Sequence, residues 1–319
     1  MQPPYSINAK IIQLIADISQ QMGEVNGSML VKQAPELRKK NRIRTIQASL
    51  AIEGNTLSIE QVTAIIENKR VLGPLKDIKE VNNAIEVYNR MESLKPNSEK
   101  SFLSAHKTLM QGLVPHPGQY RKSGVGIVKG NQVAHLAPPA KNVPFLMKNL
   151  FLYLKDSEDH VLIKSCVFHY EMEFIHPFTD GNGRMGRLWQ TLLLLKAFPV
   201  LDFLPFETII SKNQKAYYKA LANSDKQGES TLFIEFMLTS INHALDELLK
   251  ERTGPLTSDD RMLIFLSTDV QEFSRKDYLQ FFKSISTATA SRDLNKAAAE
   301  KNILKTGDKN KTLYKRLNP

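Results

Sequence analysis

The spacing of apolar residues along the chain predicts a mostly helical protein. Apolar side chains recur at intervals of three and four residues through most of the sequence, which is the period of a helix that buries one face. Residues 188–195 are instead apolar on nearly every side, a pattern typical of a fully buried helix. The predicted helices cover residues 6–25, 35–53, 58–66, 81–88, 101–113, 143–147, 161–175, 188–195, 209–221 and 231–249. We therefore expect a mostly α fold.

Residues 125–135 show a different pattern. Valine and isoleucine residues flank Gly130 and Asn131, which is typical of a β-hairpin with a tight turn. A surface hairpin with no special role would explain this pattern. An exposed strand edge can also bind an extended peptide by adding it as a further strand, so the hairpin is a candidate docking surface for a protein.

A linker precedes the last part of the chain. Residues 252–255, Arg-Thr-Gly-Pro, include two residues that interrupt regular structure. The pattern beyond them predicts helices over 259–266, 274–282 and 286–301, then strands over 303–304 and 312–317. This order resembles a winged helix-turn-helix domain over residues 256–319, and its basic end suits DNA phosphates. A small domain that packs or binds a target protein fits the same pattern.

Composition narrows the class of protein only a little. An apolar content of 42% with 24% charged residues is ordinary for a soluble globular protein. The single cysteine, Cys166, excludes an internal disulfide and fits a small core residue in a reducing cytoplasm. No signal-peptide pattern or apolar run long enough to span a membrane is evident, so we expect a cytoplasmic protein without a membrane partner. The net charge of +10 fits nucleotide or nucleic-acid binding without deciding it.

Residues 176–187 concentrate chemistry between two predicted helices. Pro177 disfavours helical backbone at His176, so the first helix should end there. Glycines then lead into the next helix, whose N-terminal amides and dipole attract an anion. Arg184 and Arg187 extend this to a polyphosphate site, Asp180 can hold Mg²⁺ against phosphate oxygens, and His176 can accept a proton. The loop therefore predicts a site for nucleotidyl or phosphoryl transfer. The alternative is a polar, glycine-rich turn without a catalytic role.

Two familiar kinds of site do not fit this loop. A Walker phosphate-binding loop would continue with Gly-Lys-Ser/Thr after the glycines, and it does not. A helical zinc site would place a second histidine four residues from His176, which the sequence lacks. His106 and His169 are better explained as packing and hydrogen-bonding residues.

The loop resembles the signature of the Fic (filamentation induced by cyclic AMP) family. That signature, His-Pro-Phe-x-Asp/Glu-Gly-Asn-Gly-Arg-x-x-Arg, is matched at every fixed position from His176 to Arg187. The resemblance extends over roughly residues 1–250. It implies an N-terminal helical region over 1–95 that carries an inhibitory helix, and a Fic-type helical core over 96–252 with a β-hairpin flap. Members of this family typically transfer AMP from ATP, with Mg²⁺ (magnesium), to a Ser, Thr or Tyr hydroxyl of a protein.

The resemblance also implies a role for each matched residue. It makes His176 the general base and Asp180 the metal ligand. The residues implied to bind ATP are Gly181, Asn182, Gly183, Arg184, Met185, Gly186 and Arg187, with Tyr217 and Tyr218 near the adenine. The flap implied to dock the target consists of Val125, Gly126, Ile127, Val128, Lys129 and Gly130.

A second short motif lies at the end of the helix predicted over 35–53. Taken alone, Gly54 would be a helix terminator and Glu53 a solvated residue beside it. The segment from Ser49 to Gly54 also resembles the family's inhibitory motif, Ser/Thr-x-x-x-Glu-Gly/Asn. In such members the glutamate pairs with the second signature arginine and obstructs the γ-phosphate, which here implies contact between Glu53 and Arg187.

Three alternatives stay open at this point. The same site could transfer another phosphate-containing group, or it could remove AMP with the help of the inhibitory glutamate. A third possibility is a nucleotide-sensing regulator that binds DNA through residues 256–319. The sequence identifies neither the target protein nor the signal that relieves inhibition, and a homodimer is a further candidate assembly.

Overall fold

A computed structural model describes residues 2–27, 34–124, 126–129, 132–252, 257–266, 268, 270–283, 285–300, 302–307 and 312–316. Contacts divide the chain into a larger unit, residues 1–24 and 37–247, and a smaller one, residues 25–36 and 248–319. The larger unit combines the predicted N-terminal helical region with the predicted core. A boundary between residues 95 and 96 stays a prediction.

Helices make up most of the larger unit, as the apolar spacing predicted. They are α1 (Ala9–Gly27), α2 (Ala34–Ile52), α3 (Ile59–Ile66), α4 (Leu75–Asn89), α5 (Glu99–Leu109), α6 (Val143–Asp156), α7 (Val161–Ile175), α8 (Asn182–Ala197), α9 (Phe206–Lys212), α10 (Gln214–Gln227) and α11 (Thr231–Arg252). The start of α3 shows the sequence logic: the Ser58 side chain accepts from the Gln61 amide, and the Gln61 side chain caps Ser58 in return. The mostly α fold is confirmed.

An aromatic cluster fixes the central helices against one another. Phe102 on α5 lies with its ring centroid 5.1 Å from that of Trp189 on α8 and 5.5 Å from that of Phe151 on α6. It also stacks on Phe178, from the loop that joins α7 to α8, at 5.5 Å. Because Phe102, Phe178 and Trp189 are fully buried, the cluster anchors that loop to the core.

The predicted hairpin is present next to the core. Strand β1 (Gly126–Lys129) pairs antiparallel with β2 (Gln132–Leu136), with an irregularity between Ile127 and Val128. Gly126 lies opposite Leu136 and Lys129 opposite Gln132. Two predicted flap residues, Val125 and Gly130, lie outside the described residues.

The smaller unit contains three helices and three strands in its described part. They are α12 (Ser258–Leu266), β3 (Glu272–Phe273), α13 (Arg275–Phe281), α14 (Thr287–Ala299), β4 (Ile303–Thr306) and β5 (Leu313–Arg316). The sheet order is β3-β5-β4, so the two predicted strands pair and β3 joins the free edge of β5. The sequence pattern missed β3 because two residues are too short for alternation to show.

A buried ion pair lies inside this smaller unit. Arg261 on α12 donates to both carboxylate oxygens of Asp293 on α14, at 2.7 and 3.0 Å, and the Tyr278 hydroxyl donates to Asp293 as well. These bonds satisfy a carboxylate that the packing removes from water. The winged-helix assignment and DNA binding by this unit stay predictions. Among the helices that are described, none has the length and apolar character to cross a membrane.

The aromatic cluster gives a stability prediction. Phe102→Ala should lower the free energy of unfolding by about 3–5 kcal/mol, because it leaves a cavity at the centre of the core. Trp189 is the single tryptophan of the chain, so denaturant unfolding followed by its fluorescence measures the effect. Phe145→Ala is the matched control: that ring is 62% exposed, and its loss should change stability by no more than about 0.5 kcal/mol. Equal effects of the two substitutions would contradict this account of the core.

Candidate active site

The loop between α7 and α8 has an unusual backbone at both ends. His176 follows the last residue of α7 in left-handed conformation (φ 50°, ψ 60°), and its amide still bonds the carbonyl oxygen of Met172. Gly181 precedes α8 with φ 86°, and a Cβ there would come within 2.7 Å of the Met110 sulfur. Pro177 therefore ends the helix at the predicted residue. A left-handed non-glycine residue costs about 1–3 kcal/mol, so other contacts must hold His176 in place.

Arg121 supplies those contacts from the segment before the hairpin. Its Nε donates to the carbonyl oxygen of His176 at 2.8 Å, and its amide donates to that of Pro177 at 2.9 Å. The same guanidinium also bonds the carbonyl oxygens of Ile175 and Pro138. Arg121 is 3% exposed, so it serves the loop from the interior and is not available to bind a ligand in solvent.

Asn182 and His106 fix the middle of the loop. The Asn182 side chain accepts from the amide of Phe178 and donates to its carbonyl oxygen, both at 2.9 Å. The His106 ring stacks on that of Phe178 with centroids 3.5 Å apart. The Gly118 amide donates to His106 Nδ1, so Nε2 carries the hydrogen that is donated to the Asp180 carbonyl oxygen at 3.0 Å. Burial lowers the pKa of His106 to about 4, in agreement with this neutral tautomer.

Asp180 and Arg184 form an ion pair at the rim of the site. Asp180 Oδ1 accepts from the Gly181 amide at 2.6 Å and from Arg184 at 2.8 Å. Arg184 is buried and also donates to Glu80 at 3.0 Å, so two carboxylates already balance its charge. The Asp180 side chain is 48% exposed, and one exposed carboxylate beside phosphate oxygens and water is a donor set that Mg²⁺ accepts. Among the described residues no cluster of three protein ligands is present, so a metal here would take most of its ligands from phosphate and water.

Arg187 is fully buried and meets the predicted inhibitory motif. Its Nε donates to the Ser49 hydroxyl at 3.0 Å, and one terminal nitrogen donates to the Ser49 carbonyl oxygen at 2.9 Å and to Glu53 Oε1 at 2.8 Å. The predicted contact between Glu53 and Arg187 is thus present. Burial acts to lower the pKa of the guanidinium, but the charge and hydrogen bond of Glu53, with Tyr217 and Glu173 nearby, together outweigh it, and the pKa lies above its ordinary value.

Glu53 reaches over the first turn of α8. A Cβ added to Gly183 would collide with Glu53 Oε1 and would lie 3.0 Å from an Arg187 nitrogen. The carboxylate therefore occupies the space above the first turn, where the amides of a helix N-terminus attract an anion. Gly183 matters here because any side chain at this position would fill that space.

A polar cavity of about 180 Å³ connects these groups. It is lined by Glu53, Glu173, His176, Thr179, Asp180, Gly181, Asn182, Gly183, Arg187, Tyr217 and Tyr218. The two tyrosines differ: Tyr217 is 1% exposed and its hydroxyl bonds His169 Nε2 at 3.0 Å, whereas Tyr218 is 40% exposed. Tyr218 is therefore the one of the pair whose ring is accessible to a ligand.

Met185 and Gly186 were also predicted to contact the nucleotide, and the structure limits how they could do so. The Met185 side chain is fully buried, and Gly186 lies against the ring of His169, where a Cβ would come within 2.7 Å of Cδ2. Neither residue is among those that line the cavity, and Gly186 packs against α7 through His169. Any contact of Met185 with a nucleotide must therefore use its backbone.

Several residues of this site were not singled out from the sequence. Glu173 and Thr179 line the cavity, and Glu80 holds Arg184. Glu173 gives a usable signal, since it is an acidic residue within the mostly apolar helix α7. Glu80 lies on a different helix from its partner and carries no comparable signal.

Comparison with known proteins identifies the family. The model of the Fic/DOC family matches residues 96–194. A crystal structure of a Fic family protein from Desulfovibrio desulfuricans G20 is 43% identical, with a TM-score of 0.76, over 100% of this chain and 99% of that chain. The chain therefore belongs to the Fic family.

More distant relatives are named for an activity. Protein adenylyltransferase Fic from Nematostella vectensis is 28% identical over 262 residues, which cover 76% of this chain and 58% of that protein. The same-named protein from Drosophila erecta is 26% identical and is covered over 52% of its length. The chain thus spans about half the length of the curated relatives it matches. Fic-1 from C. elegans, at 19% identity with a TM-score of 0.65, shares the fold.

The contacts of His106 predict an acid-sensitive contribution to stability. Its pKa is about 4 in the folded chain and near 6.5 when unfolded, so the unfolded chain takes up a proton first as the pH falls. Stability from the neutral ring is complete above about pH 6.5 and is lost as the pH falls towards 4, by about 2–3 kcal/mol. His106→Gln, which cannot be protonated there, should lose less stability than wild type between pH 7 and 4.5 in denaturant unfolding. The exposed His116→Gln should behave as wild type, and an unchanged slope in His106→Gln would refute the assignment.

Proposed function

We propose that this protein transfers AMP from ATP to a hydroxyl group of a protein and is held inactive at rest by Glu53. The observation that carries the proposal is the Glu53 carboxylate, which pairs with the buried Arg187 above the first turn of α8. An anion site of this kind is suited to a phosphate chain. The relatives named protein adenylyltransferase support AMP as the transferred group.

The chemistry needs few groups. The acceptor hydroxyl oxygen bonds to the α-phosphorus of ATP, the bond from that phosphorus to the oxygen that bridges to the β-phosphate breaks, and pyrophosphate leaves with the electron pair. The hydroxyl proton passes to His176, whose position Arg121 holds through the backbone. Mg²⁺ bound at Asp180 would neutralise phosphate charge. Arg187 and the amides at Gly181 to Gly183 would hold the polyphosphate.

Inhibition follows from competition for one position. Glu53 gives Arg187 the negative charge that a terminal phosphate would otherwise give, and it repels any phosphate that approaches. Binding of ATP in a reactive pose therefore requires the carboxylate to move. The Ser49 contacts with Arg187 support a part for the end of α2 in this competition.

The hairpin is suited to present the acceptor. In the described part of the chain the sheet of β1 and β2 has two strands, so each strand pairs with its neighbour along one edge. A segment of the target can add to an open edge through main-chain hydrogen bonds, which places a Ser, Thr or Tyr without requiring a particular flanking sequence. The predicted docking of the target by the flap would therefore use the backbone of residues 126–129.

Two related activities use the same residues. Transfer of a phosphoryl group would break the bond to the γ-phosphorus, and removal of AMP would use water in place of a hydroxyl. ATP labelled at the α-phosphorus marks the target only in AMP transfer, and ATP labelled at the γ-phosphorus marks it only in phosphorylation. Release of AMP from a labelled target would indicate removal.

The inhibitory contact gives the central prediction. Glu53→Gly should raise the labelling of protein by α-labelled ATP by about ten- to a hundredfold, because a charge-assisted hydrogen bond contributes about 1.5–3 kcal/mol. Incorporation is measured with purified protein, alone and with a cell lysate as the source of targets. Unchanged labelling would show that Glu53 does not inhibit.

Two variants control this experiment. His176→Ala in the Glu53→Gly background should lower labelling by about 10²–10⁴-fold and serves as the blank. Glu67→Gly is the matched carboxylate control, since Glu67 also follows the last residue of a helix but pairs with Lys69 and Lys39. Its labelling should equal that of wild type.

A further inference from the structure

A fully buried carboxyl group bridges the inhibitory helix and the signature helix. Glu207, in the first turn of α9, is 0% exposed. Its Oε2 lies 3.3 Å from the Thr45 hydroxyl on α2, and its Oε1 lies 2.5 Å from the Thr191 hydroxyl on α8. Neither the proposed mechanism nor the signature gives this carboxyl a role, yet burying it has a cost unless it is hydrogen-bonded.

The bridge lies one helical turn from the inhibitory contact on each helix. Thr45 precedes Ser49 by four residues on α2, and Thr191 follows Arg187 by four residues on α8. Residues four apart lie on the same face of a helix, so two rungs join the same pair of helices. The first rung is Ser49 and Glu53 on Arg187, and the second is Thr45 and Thr191 on Glu207.

Hydrogen counting shows how neutral Glu207 can bridge the two threonines. The Thr191 hydroxyl lies within hydrogen-bond distance of the Arg187 carbonyl oxygen (2.9 Å) as well as Glu207 Oε1, but it has one hydrogen to donate. A protonated Glu207 donates to Thr191, which then donates to Arg187, while Oε2 accepts from Thr45. Every polar group is satisfied in this arrangement. The ionised carboxylate would accept from both threonine hydroxyls, and the Arg187 carbonyl oxygen would keep the amide hydrogen bond of its helix.

Burial shifts Glu207 towards its neutral form. Burial raises the pKa of Glu207 to about 7, although Thr191, Thr45 and the Arg187 charge act to lower it. Among the described residues, the charged or titratable groups that face this carboxyl include Arg187 on α8 and Tyr88 on α4, whose pKa burial and Glu207 raise. Arg187 already has Glu53 as its counter-ion, so Glu207 is not required as a second one.

We propose that Glu207 is a positioning residue for inhibition: through Thr45 and Thr191 it holds α2 against α8 and thereby keeps Glu53 on Arg187. The proposal rests on the proposed function, because it specifies what stabilises the inhibited state. Loss of the bridge frees the end of α2 to move, and Glu53 then leaves the phosphate position more often.

Side-chain substitutions that break or preserve the bridge test the proposal. Thr45→Val removes the α2 hydrogen bond with little change in volume, and Glu207→Ala removes the carboxyl. Both should raise labelling by α-labelled ATP by about tenfold, the effect of one lost buried hydrogen bond on an equilibrium. Glu207→Gln should stay at the wild-type level, because the amide donates to Thr191 and accepts from Thr45 as the neutral acid does.

Control variants distinguish a role of Glu207 in positioning α2 from a general effect on folding. Thr239→Val removes a helical threonine hydroxyl far from this pair, on α11, and should leave labelling unchanged. In the Glu53→Gly background, Thr45→Val should add nothing, since the inhibitory carboxylate is already gone. Wild-type labelling in folded Thr45→Val and Glu207→Ala, while Glu53→Gly is raised, overturns the proposal. A loss of labelling in both backgrounds overturns it as well, because Glu207 would then support catalysis or folding.

A measurement of ligand binding tests the Glu207 bridge independently of the proposed function. If Glu53→Gly does not raise labelling, the proposed function fails, but calorimetry of Thr45→Val can still show whether the bridge controls the phosphate position. The expected result is tighter binding of ATP by about tenfold with AMP binding unchanged, because only ATP carries the terminal phosphate. Equal ATP binding in Thr45→Val and wild type overturns the bridge.

Discussion

The buried charge of Arg187 is the constraint on which the rest of the site depends. A guanidinium removed from water is costly unless an anion and hydrogen-bond acceptors meet it, and here Ser49 and Glu53 do so. The amides at the start of α8 attract an anion at the same position. Glu53 thus provides the negative charge that, on the proposed function, a nucleotide phosphate would provide. On that function, one interaction both stabilises the fold and inhibits the reaction.

Arg184 shows the same principle in a second place. Glu80 holds it from α4, and Asp180 holds it from the loop. If Asp180 coordinates a metal, its carboxylate is shared between a dication and Arg184, so metal and nucleotide would enter as a neutralising pair. Both arginines of the signature are therefore paired with carboxylates of the chain itself.

Short sequence patterns predicted the parts of the fold that depend on interactions between residues close together in the chain. The capping box at Ser58, the end of α7 before Pro177 and the hairpin around residue 130 all follow from residues next to one another. The pairing of Glu53 with Arg187 is a long-range contact, and it was predicted only because two short motifs were recognised together.

Contacts that carry no motif were missed. Arg121 reaches His176 across 55 residues, His106 reaches Asp180 across 74, and Thr45 reaches Glu207 across 162. Each side chain looks ordinary in its own segment, because tertiary packing alone creates the burial that gives it a role. Positions of this kind need coordinates.

The way the loop is held has a practical consequence for finding the protein's target. Arg121 and His106 bind the loop through the main-chain oxygens of His176 and Asp180, and Asn182 binds the main chain of Phe178. The imidazole of His176 makes a longer contact, 3.3 Å from Nδ1 to the carbonyl oxygen of Glu173. The main-chain bonds do not need that ring, so a His176→Ala chain should keep the loop in place. On the proposed function, such a chain would serve as a bait that retains a target protein without modifying it.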